Sequence, residues 1–457
     1  MAEKNPFAEP RAELAVGTRH AGFTVTSVEP VPELTGVAYL MRHDATGARA
    51  LWLACDDVNK AFAISFKTPP ADDTGVFHIL EHSVLCGSDR YPVKEPFVNL
   101  LKTSMQTFLN ALTFPDKTMY PVASTNVADL ENLMGVYLDA VLHPAIYERA
   151  RIFEQEGWHL EADADGALSY NGVVLNEMKG ALSDPDDVLY QALTRALFPD
   201  TCYRFESGGN PRAIPTLTYE AFLDSHARHY APSNAYVFLY GNLDADRELA
   251  LVDEALRGAG GRRAGAPNPL ALQPPVRAAR QEVRMATAPS NSEVGLSYVV
   301  GTAADRTRVL AADVLLDALC GSNEAPLKRR VLDADLADDF SAALVDEHVH
   351  ALGNGMAEEP ERLAVNGGTG HPRVPLASAR RAHDGAETLE VRHGLIFHRC
   401  LELHIKAAAE ALGKQRERRE GRVLGTGAAQ HVKGGWVEVL ERRRMLEVCA
   451  CSYGCLD

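Results

Sequence analysis

Short runs of alternating hydrophobic and polar residues fill the first part of the chain. Four such runs lie between residues 22 and 68, and they read FTVTSVEPV, GVAYLMRHD, RALWLACDD and AFAISFKTP. Alternation with a period of two is typical of strands with one buried face, and the intervening HDATGA suits a tight hairpin turn. The pattern predicts a small antiparallel sheet.

Longer patterns with helical periodicity dominate from about residue 74 to about residue 255. Helices are predicted for TGVFHILEHSVLC, NVADLENLMGVYLDAVL, GVVLNEMKGALS, TYEAFLDSHARHY and DRELALVDEALRG. Strand-like runs interrupt them at TFLNALTFP, DKTMYPVAS and NAYVFLYGN. Strands and helices without regular βαβ alternation indicate an α+β fold. We interpret residues 1–257 as the first domain.

The chain then restarts the same order of elements. Residues 258–278 are rich in Gly, Pro and Ala, which predicts a linker, and a strand followed by a helix is predicted within 279–344. The string LCGS closes this second helix at 319–322, as it closes the first at 85–88. We interpret 279–344 as a partial second copy of the first domain that lacks its histidines.

The composition changes at about residue 345. Residues 345–457 contain eight of the sixteen histidines and thirteen arginines against three lysines, but only three of the thirty-two aromatic residues. Such a segment has little apolar surface from which to build a packed core. We expect an atypical, poorly ordered tail. It is either the product of a shifted reading frame in a GC-rich gene, which we favour, or a divergent extension.

Charge and cysteine usage narrow the function classes. A formal charge of −16 argues against nucleic acid and anionic membranes as partners, and it suits basic or extended peptides. The N-terminus resembles no targeting signal, no long apolar run occurs, and the cysteines before residue 345 are scattered, which together predict a cytoplasmic protein. The terminal CACSYGC is either a metal-binding cluster or, as we favour, an accident of composition.

The most informative stretch is FHILEHSVLCG, at 77–87. His78 and His82 lie four residues apart in a predicted helix and therefore share one face, where two imidazoles can bind one Zn²⁺. Glu81 stands beside them without having to bind the metal, which is the place for a general base. The alternative is that these are ordinary core residues, but three unpaired polar groups on an apolar helix are costly to bury.

The surrounding strings carry a resemblance to a known family. HILEHSVLCGSDRYPVKEPFVNLLKTSMQTFLNALTFPDKTMYPVASTN, FEQEGWHLE and YNGVVLNEMKGALSDP occur in this order. They resemble the presequence-protease branch of the pitrilysin-like (M16) metallopeptidases, from about residue 20 to about residue 340. The resemblance implies an α+β, LuxS/metallohydrolase-like domain with an antiparallel sheet packed by helices. It also implies a zinc metalloendopeptidase that hydrolyses short unfolded peptides.

The resemblance also assigns roles to individual residues. It implies that His78 and His82 are zinc ligands, Glu81 is the catalytic base, and Glu177 of NEMKG is the third ligand. By spacing alone, Glu154 and Glu156 remain alternatives to Glu177.

The string TFLNALT resembles the edge strand on which the family binds the substrate main chain. This likeness implies a substrate-binding role for Asn110 and Ala111. An ordinary strand of the sheet is the alternative.

The chain departs from the family in length. Members of this branch are about twice as long, and their second half supplies an arginine and a tyrosine to the active site. We therefore expect impaired turnover, and self-association through the incomplete second domain. A non-catalytic peptide-binding subunit, or an inactive fragment of such a peptidase, is the competing hypothesis.

Overall fold

A computed structural model describes most of the two predicted domains. The described residues are 14–93, 96–259, 270–276, 282–285, 293–345 and 350–358. Most of the predicted linker and nearly all of the predicted tail therefore lie outside the described residues. No helix within the described ranges combines the length and the apolar composition needed to cross a membrane.

The described elements follow one another along the chain in a mixed order of strands and helices. The strands are β1 (Arg19–His20), β2 (Phe23–Val31), β3 (Gly36–His43), β4 (Arg49–Ala54), β5 (Lys60–Lys67), β6 (Gln106–Leu109), β7 (Leu112–Thr113), β8 (Lys117–Ser124), β9 (His159–Ala162), β10 (Leu168–Asn171), β11 (Ala235–Tyr240), β12 (Glu293–Thr302), β13 (Asp339–Val345) and β14 (His350–Glu358). The helices are α1 (Val76–Val84), α2 (Pro96–Thr103), α3 (Val127–Leu142), α4 (Ala150–Glu156), α5 (Val173–Ala181), α6 (Pro185–Leu197), α7 (Tyr219–His229), α8 (Ala245–Gly258), α9 (Arg306–Cys320) and α10 (Pro326–Asp333).

One mainly antiparallel sheet organises the first domain. Within the described residues it has nine strands in the order β1-β2-β3-β4-β11-β5-β8-β6, and β7 also pairs with β8. The strands predicted for residues 22–68 are confirmed, as is the hairpin between β3 and β4, where His43 N–H donates to the Ala48 carbonyl at 2.8 Å. However, β4 and β5 do not pair with each other, because β11 lies between them, parallel to β4 and antiparallel to β5.

Helices bury one face of this sheet. Phe62, Ile64 and Phe66 alternate along β5 and are fully buried. Helix α3 packs against β5 and β8, while α8 packs on α3. Helix α1 packs against α4 and α7 at the same domain's core. The arrangement fixes α1 rigidly, because its apolar residues Ile79 and Leu80 have no exposed surface.

A smaller sheet follows in the second part of the chain. Strand β14 lies at its centre and pairs antiparallel with β12 on one side and β13 on the other. Helices α9 and α10 pack against it, and β12 contacts α6. This sheet uses residues up to Glu358, so the regular structure extends past the boundary that composition predicted at 344. A change in composition is visible only over many residues, so it could not reveal a single strand of nine residues.

A buried carboxyl group in α8 has no compensating partner. Glu248 has no exposed surface, and neither of its carboxylate oxygens has a hydrogen-bond partner among the described residues. Burial, reinforced by the negative charges of Glu131 and Asp244 and opposed by Arg247, raises the pKa of Glu248 to about 7. An ionised carboxylate at this position therefore destabilises the folded state.

We expect Glu248→Gln to become progressively more favourable as the pH rises. The folded-state pKa lies above the unfolded value of about 4.3, so the penalty is absent below pH 4 and complete above pH 7. Relative to wild type, the variant should gain about 3–4 kcal/mol of unfolding free energy between pH 4 and pH 8. Urea unfolding in the presence of EDTA measures this change.

Glu220→Gln is the matched control, because Glu220 also lies in the first turn of a helix but is exposed. Its difference from wild type should stay constant over the same pH range. A pH-independent difference for Glu248→Gln would contradict the buried, uncompensated carboxyl group.

Candidate metal centre

Helix α1 begins at a close contact with a distant loop. Its N-cap residue, Gly75, has φ = 65°, and a Cβ atom there would lie 2.6 Å from the Gly208 carbonyl oxygen. Glycine is required because both the left-handed backbone and the space exclude a side chain. The loop that contains Gly208 thereby reaches the first turn of the helix that carries His78, Glu81 and His82.

Three side chains converge on one point at the side of α1. The Nε2 atoms of His78 and His82 each lie 3.7 Å from Oε2 of Glu177, which projects from α5. One ligand atom from each of the three residues lies within 4.8 Å of the others, and no second group of this kind occurs among the described residues. The histidines are buried or partly buried, whereas the Glu177 side chain is 52% exposed. The cluster is therefore open to solvent on the Glu177 side.

The main chain fixes the tautomer of His78. Its Nδ1 lies 2.9 Å from the carbonyl oxygen of Gly208. A carbonyl can only accept, so His78 Nδ1 carries a proton, and in the neutral ring the lone pair lies on Nε2, on the side of Glu177. This is the form in which an imidazole binds a metal.

A second carboxylate orients His82. Glu156, at the end of α4, is 6% exposed, and its Oε2 lies 3.4 Å from His82 Nδ1. Burial opposes protonation of His82, but the Glu156 hydrogen bond and the charges of Glu81 and Glu177 outweigh it and raise the pKa of His82. Glu156 therefore contacts the histidine nitrogen that points away from the cluster.

The three carboxylates that spacing left as candidates for the third ligand lie in different places. Glu177 joins the two histidines, Glu156 lies behind His82, and Glu154 is exposed on α4 outside the cluster. Spacing along the sequence could not distinguish them, because the three carboxylates lie on two different helices whose packing depends on the whole core.

Glu81 is buried beside the cluster. It is 9% exposed, and its Oε2 accepts a hydrogen bond from Thr113 Oγ1 at 2.7 Å. Burial, together with the Glu81 charge, raises the pKa of the neighbouring Tyr137, which therefore stays a neutral phenol. Thr113 belongs to β7, so the sheet edge positions the Glu81 carboxylate directly. Sequence analysis did not identify Thr113, because its partner lies thirty-two positions away.

The predicted substrate strand is interrupted at its centre. Strands β6 and β7 lie on the outer side of β8, and Asn110 and Ala111 connect them. Asn110 uses both of its main-chain groups internally, since its N–H donates to Pro121 O at 3.2 Å and its carbonyl accepts from Tyr137 Oη at 3.3 Å. Asn110 therefore anchors the edge, and its side-chain oxygen accepts from the Ala111 N–H.

Comparison with protein families finds a match in the second part of the chain. Residues 216–354 match the model of the peptidase M16 inactive domain. The match runs from α7 through most of β14, so it begins after all the residues of the metal cluster.

Comparison with individual proteins extends to the first part. The chain is 46% identical over 330 residues to protein HypA of Clostridium perfringens, covering 70% of this chain and 34% of that protein. It is 50% identical over 236 residues to presequence protease 1 of Arabidopsis thaliana, covering 51% of this chain and 22% of that protein. It is 39% identical over 353 residues to the mitochondrial presequence protease of Mus musculus, covering 74% and 34%. The chain thus spans about a third or less of the length of these relatives.

Solved structures share the fold at low sequence identity. The M16 inactive domain from Pseudomonas fluorescens superposes with a TM-score of 0.54 at 16% identity, covering 69% of this chain and 73% of that one. Pitrilysin superposes with a TM-score of 0.51 at 15% identity, covering 72% and 34%.

Proposed function

We propose that this chain is a zinc-dependent endopeptidase of the M16 metallopeptidase family that hydrolyses short unfolded peptides. One observation carries the proposal: His78, His82 and Glu177 present three metal-binding atoms to one point, with Glu81 beside them. Relatives named presequence proteases support the reaction class.

The residues present fit a zinc ion. Two neutral imidazole nitrogens and one carboxylate oxygen form the donor set of a catalytic zinc site, which keeps a further position open. Gly208 and Glu156 hold the other nitrogen of each histidine, as is usual for metal-binding histidines. When bound, Zn²⁺ would polarise the substrate carbonyl and increase the acidity of water.

Glu81 is the proposed general base. Its carboxylate accepts a proton from the attacking water as the new C–O bond forms, and it delivers that proton to the amide nitrogen as the C–N bond breaks. The hydrogen bond from Thr113 keeps one carboxylate oxygen in a fixed direction. The Glu81 side chain is buried and lies beside Tyr137, a neutral phenol.

The edge formed by β6 and β7 is the proposed binding place for the peptide main chain. A sheet edge can add an extended peptide as a further strand, which selects for unfolded substrates rather than for one sequence. Thr113 links this edge to Glu81, so a peptide added there would lie next to the base. Asn110 uses both of its main-chain groups, and Ala111 uses its N–H, in contacts within the domain, so we expect the remaining main-chain groups of this edge to pair with the peptide.

We further propose that the second predicted domain, 279–344, is a partial copy of the first. Aligning the two LCGS strings places Ala312, Leu315 and Leu316 of α9 at the positions of His78, Glu81 and His82. Ala312 and Leu316 are buried, so the face of α9 that corresponds to the cluster face of α1 packs into a hydrophobic core.

Several apolar side chains of the second predicted domain are exposed. On the surface of α9, Leu310 and Val314 lie one turn apart, and both are more than half exposed. Val294 and Leu296 are exposed on β12. We propose that these exposed apolar side chains support self-association of the chain.

An assay of peptide hydrolysis distinguishes a peptidase from a non-catalytic peptide-binding subunit. We expect the purified chain to hydrolyse an unfolded fluorogenic peptide, to stop when a chelator removes the metal, and to recover when zinc is restored. The three converging ligands predict this reversible dependence. Peptide binding without cleavage, with zinc present, would instead support the non-catalytic subunit.

A further inference from the structure

The loop 206–210 contacts both helices that carry the metal cluster. The Gly208 carbonyl accepts from His78 of α1 at 2.9 Å. On its other side Gly208 faces Met178 of α5, since a Cβ atom at Gly208 would lie 2.8 Å from Met178 Sδ. Met178 follows Glu177 in the sequence. Gly208 therefore contacts one cluster residue, His78, and the sequence neighbour of another, Glu177.

Glu206 holds this loop in place. Its Oε1 accepts the Gly208 N–H at 3.1 Å, and its Oε2 accepts from Gln191 Nε2 of α6. The Glu206 N–H donates to Asp73 Oδ1 at 2.8 Å, and the Asp73 carbonyl accepts the Asn210 N–H at 2.8 Å. Asp73 lies three residues before α1, so both ends of the loop are bound to the start of that helix.

The surroundings of Glu206 disfavour its ionised carboxylate. Burial, with the negative charges of Asp73 and Asp187, raises its pKa, although the Gly208 N–H and Arg195 act in the opposite direction. An apolar residue of similar volume would avoid this cost but would leave the Gly208 N–H without its acceptor.

We propose that Glu206 is a positioning residue that sets the orientation of His78 through Gly208. By fixing the Gly208 main chain, Glu206 keeps the carbonyl on His78 Nδ1 and leaves Nε2 free to bind metal. The consequence for zinc rests on the proposed function, whereas the consequence for the His78 tautomer does not.

The tautomer is read directly by NMR of metal-free protein with ¹⁵N-labelled histidine at pH 8. Signals of His78 are identified by their loss in His78→Gln. In wild type we expect the proton on Nδ1, whereas Glu206→Ala should give a mixture of the two tautomers. Glu206→Gln should restore the wild-type spectrum, because an amide oxygen can accept from Gly208 while the Gln191 amide turns to accept from the new NH₂ group.

Zinc affinity, measured by competition with a chelator, gives the second readout. We expect Glu206→Ala to weaken zinc binding by about 10–100-fold and Glu206→Gln by less than about threefold. Asp187→Asn is the matched control, because it removes an exposed nearby charge without touching the loop, and it should change neither readout. If Glu206→Ala does not fold, Gln191→Ala removes only the outer hydrogen bond and should shift both readouts in the same direction by less.

The two readouts separate the two hypotheses. An unchanged His78 tautomer in folded Glu206→Ala, or an equal effect of Asp187→Asn, would overturn the positioning role. A changed tautomer in a protein whose wild type binds no zinc would support the positioning role and contradict the proposed function.

Discussion

Replacing Glu81 by Gln is expected to lower the rate of peptide hydrolysis by about 10²–10⁴-fold while leaving zinc bound. The glutamine side chain has nearly the same size as glutamate, and its amide oxygen can still accept the hydrogen bond from Thr113. It cannot take a proton from water, so the step that it affects is chemical rather than structural. Initial rates with a fluorogenic peptide, corrected for zinc content, measure the change.

Glu154→Gln is the matched control for this variant. Glu154 lies on the neighbouring helix α4, and its side chain is exposed. Its main-chain carbonyl, not its carboxylate, accepts a hydrogen bond from His159. Its rate should stay within about twofold of wild type, as for most exposed positions. Activity of Glu81→Gln at the level of this control would exclude Glu81 as the base.

Removing an imidazole is expected to have its largest effect on the metal rather than on the fold. His82→Ala deletes one of three protein ligands, and the purified chain should fall from about one zinc per molecule to a small fraction of that. All three residues of the cluster lie in the first predicted domain, so we expect zinc binding not to depend on the second predicted domain. Elemental analysis after dialysis against metal-free buffer gives the stoichiometry.

His159→Ala provides the comparison for this loss. His159 belongs to β9 and donates to a main-chain carbonyl outside the cluster, so its removal should leave the zinc content unchanged. Less zinc in Glu81→Gln than in His82→Ala would reverse the assignment of ligand and base.

Local sequence patterns predicted the elements that carry the site. The 3.6-residue periodicity placed His78, Glu81 and His82 on one helix, and the alternation of residues 22–68 predicted strands β2 to β5. These features depend on neighbours in the sequence, so they are visible in a single chain. The resemblance to a family added Glu177, which no spacing argument selected.

Contacts between distant segments were not predictable in this way. Strand β11 enters the sheet between β4 and β5, although about 170 residues separate it from β5. The partners of the site residues, Gly208 on His78 and Thr113 on Glu81, are likewise set by tertiary packing. Glycine and threonine carry no signal of such roles in a sequence, because both are common in ordinary loops and strands.

The ligand set of the bound metal is the most direct test of the account, and X-ray absorption at the zinc edge of the zinc-loaded chain measures it. Binding by His78, His82 and Glu177 predicts a shell of nitrogen and oxygen atoms at about 2.0–2.2 Å, with the outer scattering of two imidazoles. In the zinc that His82→Ala still binds, the outer scattering should correspond to one imidazole instead of two. A shell of sulfur atoms at about 2.3 Å would place the metal on cysteines instead and would contradict the proposed centre.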